Sequence, residues 1–161
     1  MEDLTPALAG TVKLKWPNDV MIGSFKAAGI LAEADGNNVY IGAGVNVAQS
    51  EFPEGFRSKA GSLIHAYPGL GEDSRFVLLE KILVRLYMEL EGEARAGSWR
   101  EQIMERLYKK GETVIFSEGA ADSNTLIEGA LSGIGPQGEL LIIPKGEEKE
   151  RAFVNGELRV Y

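Results

Sequence analysis

The sequence predicts an α+β fold in which an antiparallel sheet carrying two helices is followed by a small β-barrel. Three observations point there: short runs of apolar–polar alternation before residue 50, helical apolar spacing from residue 73, and a return after Gly111 to short alternating runs broken by Gly, Pro, Asp and Asn. With 161 residues and 44% hydrophobic content, the chain has enough apolar side chain for one small domain or two closely packed ones. The change of pattern at Gly111 divides it into units 1–110 and 111–161.

Residues 12–15 (VKLK) alternate and run into WPND, where Pro17 must end a strand. Gly23 marks a hairpin, KAAGILAEA reads as the next strand, and the turn residues DGNN lead to its partner NVYIGAGVNV. From 50 to 73, Pro, Gly and Ser predict loops with room for one short helix. Residues 73–95 place Phe76, Leu79, Ile82, Leu83, Leu86 and Leu90 among charged neighbours, the pattern of an amphipathic helix that Asp73 or Ser74 can cap and that ends near Gly97. A second helix starts from Ser98 and stops at Gly111. Beyond it, ETVIFSE, NTLIEGALSGI, GELLIIPK, ERAFVNG and ELRVY form an all-β unit expected to close on itself.

Composition excludes several chemistries. There is no cysteine, so neither disulfides nor thiolate sites nor a cysteine nucleophile are available, and the single histidine, His65, makes a His-rich metal site or a Ser–His pair improbable. A net charge of -7 argues against nonspecific nucleic-acid binding; Lys109 and Lys110 read as a solvated helix end. No apolar run reaches the ~20 residues that cross a bilayer, and the start MEDLTPALAG lacks a secretory pattern, so a cytoplasmic protein is expected.

Chemistry must therefore come from Lys, Asp, Asn and backbone groups. In Lys15-Trp16-Pro17-Asn18-Asp19, a rigid turn can hold Asn18 and Asp19 toward a ligand, with Asp19 able to coordinate a magnesium ion carrying phosphates; the plainer alternative is an Asx turn closed on its own backbone. Lys26, between Phe25 and the small run AAGIL, can supply a fixed positive charge for a reaction through an acyl phosphate or adenylate, or it is simply a surface lysine. Gly42 and Gly44, before Val45 and Asn46, leave room for a planar ligand against the strand, or mark a bulge. No third glycine or following helix supports a dinucleotide site.

KWPNDV, FKAAGILAE and YIGAGVNV, in this order and at these short separations, together resemble the central catalytic segment of the biotin–protein ligases. LIEGALSGIGPQGELLI followed by FVNGELRV is similar to that family's SH3-like C-terminal domain. The resemblance implies a partial class II synthetase-like mixed or antiparallel sheet. It implies that Asn18 and Asp19 serve ATP and metal, that Lys26 contacts biotin and the adenylate phosphate, and that Gly42, Gly44 and Asn46 line the ligand. Gly29, Ile30, Leu31 and Val45 would form part of the apolar wall around biotin. The implied reaction joins biotin to ATP with Mg2+, giving biotinyl-AMP, and passes biotin to a lysine of a biotin carboxyl carrier protein domain. Lipoate ligation fits the KWPND turn and SH3-like tail less well.

The sequence also departs from the family. It contains no Gly-Arg-Gly segment, which in the family closes over biotinyl-adenylate, and only about a dozen residues precede KWPND, too few for several strands and a loop. Weak or absent ligase activity is expected for this chain alone. One reading is a split enzyme completed by a separately encoded N-terminal half, which predicts a large exposed apolar surface. The other is a noncatalytic fragment that binds a ligand or carrier protein and covers its open sheet edge by self-association, so a homodimer or hetero-oligomer is expected either way. No winged-helix module is present, so no control through DNA is expected.

Overall fold

The computed structural model describes residues 10–53, 60–71, 73–92, 99–119 and 125–159. Residues 12–45 form a meander. Strand β1 (Val12–Lys15) turns at Trp16–Pro17–Asn18, with a cis Trp16–Pro17 peptide, into β2 (Asp19–Ile22). Gly23, at φ 56°, takes the left-handed conformation of the next tight turn, and β3 (Phe25–Ala34) and β4 (Val39–Val45) follow. All neighbours pair antiparallel in the order β1-β2-β3-β4. The DGNN turn closes because the Asp35 carboxylate accepts from Asn38 and from the Tyr40 hydroxyl, at 2.9 Å in the latter case.

The short helix α1 (Leu63–Ala66) begins at Ser62, whose N–H donates to His65 Nδ1 at 3.1 Å and whose hydroxyl donates to the Gln49 carbonyl. His65 is thereby a capping residue, and its ring meets Phe25 edge-on. Helix α2 runs over Ser74–Leu90, shorter than the predicted 73–95; Asp73 makes no side-chain cap bond, and the turn after Glu91 uses Gly92 at φ 76°. Gly97 and Ser98, expected to end one helix and start the next, lie outside the described residues. Leu78 and Ile82 of α2 pack with Val12, Ile22, Ala27 and Leu63 as the first core.

The expected apolar stripe of α2 needs correction here. Phe76, Leu79, Leu83 and Leu90 are more than half exposed, while Leu78, absent from the expected stripe, is buried. Apolar side chains lie on more than one side of α2, and this chain's sheet covers only the side that carries Leu78 and Ile82. The same is true of the sheet: Ile30 and Leu31, on opposite faces of β3, and Tyr40 and Ile41, on opposite faces of β4, are all exposed.

Helix α3 (Trp99–Arg106) packs against the second sheet and also touches β1 of the first. Ile103 and Met104 touch the second core, and Arg100 Nε donates to the Ile134 carbonyl at 2.8 Å. That sheet contains β5 (Thr113–Glu118), β6 (Leu126–Ile134), β7 (Leu140–Pro144), β8 (Arg151–Phe153) and β9 (Gly156–Arg159) in the order β8-β7-β6-β5-β9. The expected closure is not present as pairing: β8 and β9 are its two ends and share no ladder among the described residues. Its core holds Phe116, Leu131, Leu140, Ile142, Phe153 and Leu158, together with Trp16 from the first sheet's turn and Leu107.

Gly156 lets β9 approach β5. It sits at φ 138°, and a Cβ there would meet the Phe116 ring and the Ser117 carbonyl. Gly156→Ala is expected to lower the unfolding free energy by about 1–3 kcal/mol through strain and overpacking, read as a reduced urea midpoint. An unchanged midpoint would mean that β9 can retreat at no cost.

Candidate functional site

Two turns and a bulge bring the sequence-predicted residues together. In the β2–β3 ladder Val20 faces Ala28 but Met21 faces Lys26, so Ala27 is an extra residue, buried completely. A bulge reverses the side-chain alternation beyond it, and here it aims Lys26 to the same side as Gly29. A Cβ on Gly29 would lie 3.2 Å from Lys26 Nζ and 3.6 Å from Asp19 Oδ1, so the glycine is the floor beneath this pair. Gly29 pairs with Gly44, and Leu31 with Gly42, extending that floor across β3 and β4.

Above it, Lys26 Nζ stands 2.5 Å from Asp19 Oδ1, and Lys15 Nζ stands 3.6 Å from Asp19 Oδ2. The two lysines differ in setting: the Lys15 side chain is 2% exposed and that of Lys26 is 37% exposed. Asn18 holds the turn to β3, its carbonyl accepting from Ile30 N–H at 2.9 Å. The Asn18 side chain borders an open shelf of about 440 Å³ with Lys26, Gly29, Ile30, Leu31, Gly42 and Gly44. Asp19, Lys26, Gly29, Gly44 and Asn46 line an adjoining cavity of about 480 Å³.

Asn46, besides lining this cavity, has a structural task. Its Nδ2 donates to the Gly61 carbonyl at 3.2 Å and to the Lys26 carbonyl at 3.5 Å, and its own N–H donates to the Ala27 carbonyl at 2.8 Å. Asn46 is therefore a clamp on the bulge that carries Lys26. Val45 packs with the first core and borders neither opening. Trp16 also points away from the cavity: its indole N–H donates to the Gly138 carbonyl at 2.9 Å and its ring lies 6.1 Å from that of Phe116.

Sequence reasoning missed Gln49, Phe52 and Glu157, which complete the 480 Å³ cavity. The first two follow Asn46 in a loop without periodic signal. Glu157 comes from β9 at the far end of the chain, and no local pattern marks it.

Among known proteins, no family profile matches this chain. The biotin–[acetyl-CoA-carboxylase] ligase of Paracoccus denitrificans is 31% identical over 155 residues, covering 86% of this chain and 63% of that protein. The ligase of the same name from Mycobacterium tuberculosis is 42% identical over 87 residues, covering 54% of this chain and 29% of its own length. The solved structure of Aquifex aeolicus biotin protein ligase without ligand superposes with a TM-score of 0.75 at 27% identity, over 98% of this chain and 68% of that one. Its complex with biotin and ATP superposes with the same TM-score, covering 65% of that chain. The chain belongs to the biotin–protein ligase family. It corresponds to the C-terminal part of these ligases and spans less than two thirds of the length of either curated relative.

The two ion pairs of Asp19 have different weights. Lys15 and Asp19 are both buried, and removing one partner of a buried pair leaves an uncompensated charge at a cost of about 3–5 kcal/mol. Lys26 is more than one third exposed, where a pair contributes about 0–1 kcal/mol. Asp19→Asn is thus expected to destabilise the fold by a few kcal/mol, while Lys26→Met leaves the chemical denaturation midpoint nearly unchanged. Equal losses in both variants would contradict this division.

Proposed function

We propose that this chain provides the ATP- and biotinyl-adenylate-binding side of a biotin–protein ligase, which forms biotinyl-AMP from biotin and ATP and transfers biotin to a lysine of a biotin carboxyl carrier protein domain. The observation that carries the reading is the Lys26–Asp19 pair held over Gly29, Gly42 and Gly44 beside Asn18. A glycine floor admits a flat ligand close to the backbone, and the Lys26 ammonium stands where negative charge builds on a carbonyl or phosphate oxygen. Asn18, Gly29, Ile30, Leu31, Gly42 and Gly44 contact the ligand in this reading, and Asn46 and Val45 support the strands beneath it.

The donor set fits a magnesium ion only as one delivered with nucleotide phosphates. Among the described residues no three His, Cys, Asp or Glu side chains cluster, and Mg2+ commonly takes one carboxylate plus phosphate and water oxygens. Asp19 is that carboxylate, and the ion when bound neutralises phosphate charge.

The two sheets correspond in this proposal to a catalytic unit, 1–110, and an SH3-like unit, 111–161, whose five strands and single one-sided core support the second assignment. No helix among the described residues is long and apolar enough to cross a membrane; the family reading makes the protein cytoplasmic.

The exposed apolar residues on both faces of β3 and β4 and along α2 support a further polypeptide on this surface, the remainder of the family's catalytic fold with its Gly-Arg-Gly segment. Without it the adenylate is poorly shielded from water, so the chain alone gives little or no carrier biotinylation. Isothermal titration with a nonhydrolysable biotinyl-adenylate analogue tests the reading. Saturable binding that Lys26→Ala weakens by about 100-fold or more is expected, in line with a charge-assisted contact of roughly 3 kcal/mol. Binding that is indifferent to Lys26→Ala would remove the site from this cavity.

A further inference from the structure

The second sheet reaches into the cavity through one carboxylate. Glu157, on β9, borders it together with Lys26 and Asp19. Glu157 Oε1 lies 4.0 Å from Lys15 Nζ, Lys15 Nζ lies 3.6 Å from Asp19 Oδ2, and Asp19 Oδ1 lies 2.5 Å from Lys26 Nζ. The four groups form a series of alternating sign with zero formal net charge. Its middle is buried, with Lys15 at 2% and Asp19 at 11% side-chain exposure, while its ends, Glu157 at 29% and Lys26 at 37%, open toward the cavity.

We propose that Glu157 is a positioning residue of the ligand site: it draws Lys15 back from Asp19 and so keeps Asp19 Oδ1 on Lys26. A buried ammonium requires acidic neighbours. With Glu157 neutralised, Lys15 leans on Asp19, the carboxylate is pulled along β2 toward it, and the Lys26 ammonium loses its fixed place over Gly29. The backbone around Glu157 is built to hold it. Gly156 brings β9 tight against Phe116 and Ser117, Glu157 pairs with Ser117 across the β5–β9 ladder, and Arg159 Nη2 donates to Ser117 Oγ at 3.2 Å. A 4.0 Å contact to a partly exposed carboxylate adds little to folding stability, so its weight falls on geometry.

This inference rests on reading the cavity as the nucleotide side of a ligase site, and two readouts on the full chain separate it from that reading. The first follows the Asp19 side-chain carboxylate by 13C NMR without ligand, in the wild type, Glu157→Gln, Glu157→Asp and, as control, Glu128→Gln, which removes an exposed pair with Lys145 on the same sheet. The second titrates each protein with magnesium·ATP by calorimetry. Glu157→Gln is expected to move the Asp19 resonance and weaken magnesium·ATP by about tenfold, the lower end for a supporting partner, while melting within about 3 °C of wild type. Glu157→Asp should restore part of both, and Glu128→Gln should change neither. An Asp19 resonance that does not respond to Glu157→Gln, or responds equally to Glu128→Gln, overturns the proposal. A wild type that takes up no magnesium·ATP refutes the nucleotide reading, and the ligand-free Asp19 resonance then still decides whether Glu157 positions Asp19.

Discussion

The burial of Trp16 in the second core is the constraint on which the site depends. The turn that carries Asn18 and Asp19 leaves β1 with Lys15 and Trp16 committed to opposite tasks. Trp16 is driven among Phe116, Leu131 and Leu140, where its ring is removed from water and its indole N–H is satisfied by Gly138. That leaves Lys15 buried on the other side, where only acidic neighbours make its charge tolerable. Asp19 is one of those neighbours, so its location follows from the packing of the second sheet. The C-terminal strands are therefore structural support for the Asn18–Asp19 turn, and Glu157 shows that they also reach the cavity itself.

The second determinant is the bulge at Ala27. Regular alternation would have sent Lys26 and Gly29 to opposite faces; the extra residue puts both on one face, and Asn46 ties the bulge in place. Charge and floor are thus set by backbone features on rigid strands, which is the arrangement that preorganises a positive centre before any ligand arrives. The apolar side chains on both faces of β3 and β4 mark the opposite condition: the strands are formed, and their apolar surface is exposed.

Much of this was legible in the sequence because local chemistry dictated it. Pro17, Gly23 and the DGNN turn fixed the ends of the first four strands, and the register over Gly42–Ala43–Gly44 followed. The side of α2 that packs on this chain was not legible, since helical spacing reveals apolar positions but cannot say which of two adjacent apolar stripes meets the sheet. Trp16 read as part of a ligand turn because its true partners, Gly138 and Phe116, are distant in sequence. Asn46 read as a ligand group, and no local pattern signals that its Nδ2 also bonds backbone carbonyls that only the folded bulge presents. Glu157 was invisible for the same reason as Trp16: the β5–β9 register brings it to the site, and nothing around it in sequence marks it.

Amide hydrogen exchange in Trp16→Leu, which keeps an apolar side chain but loses the indole bond to Gly138, tests the dependence of the site on the second core. The Ile30 amide, bonded to the Asn18 carbonyl, reports the turn, and the Asn46 amide, bonded to the Ala27 carbonyl, reports the bulge. The account predicts that Ile30 loses protection by about tenfold or more while Asn46 keeps its own, as expected for local release of one turn in a folded protein. Undiminished protection at Ile30 would show that the ligand turn holds its shape without the second sheet.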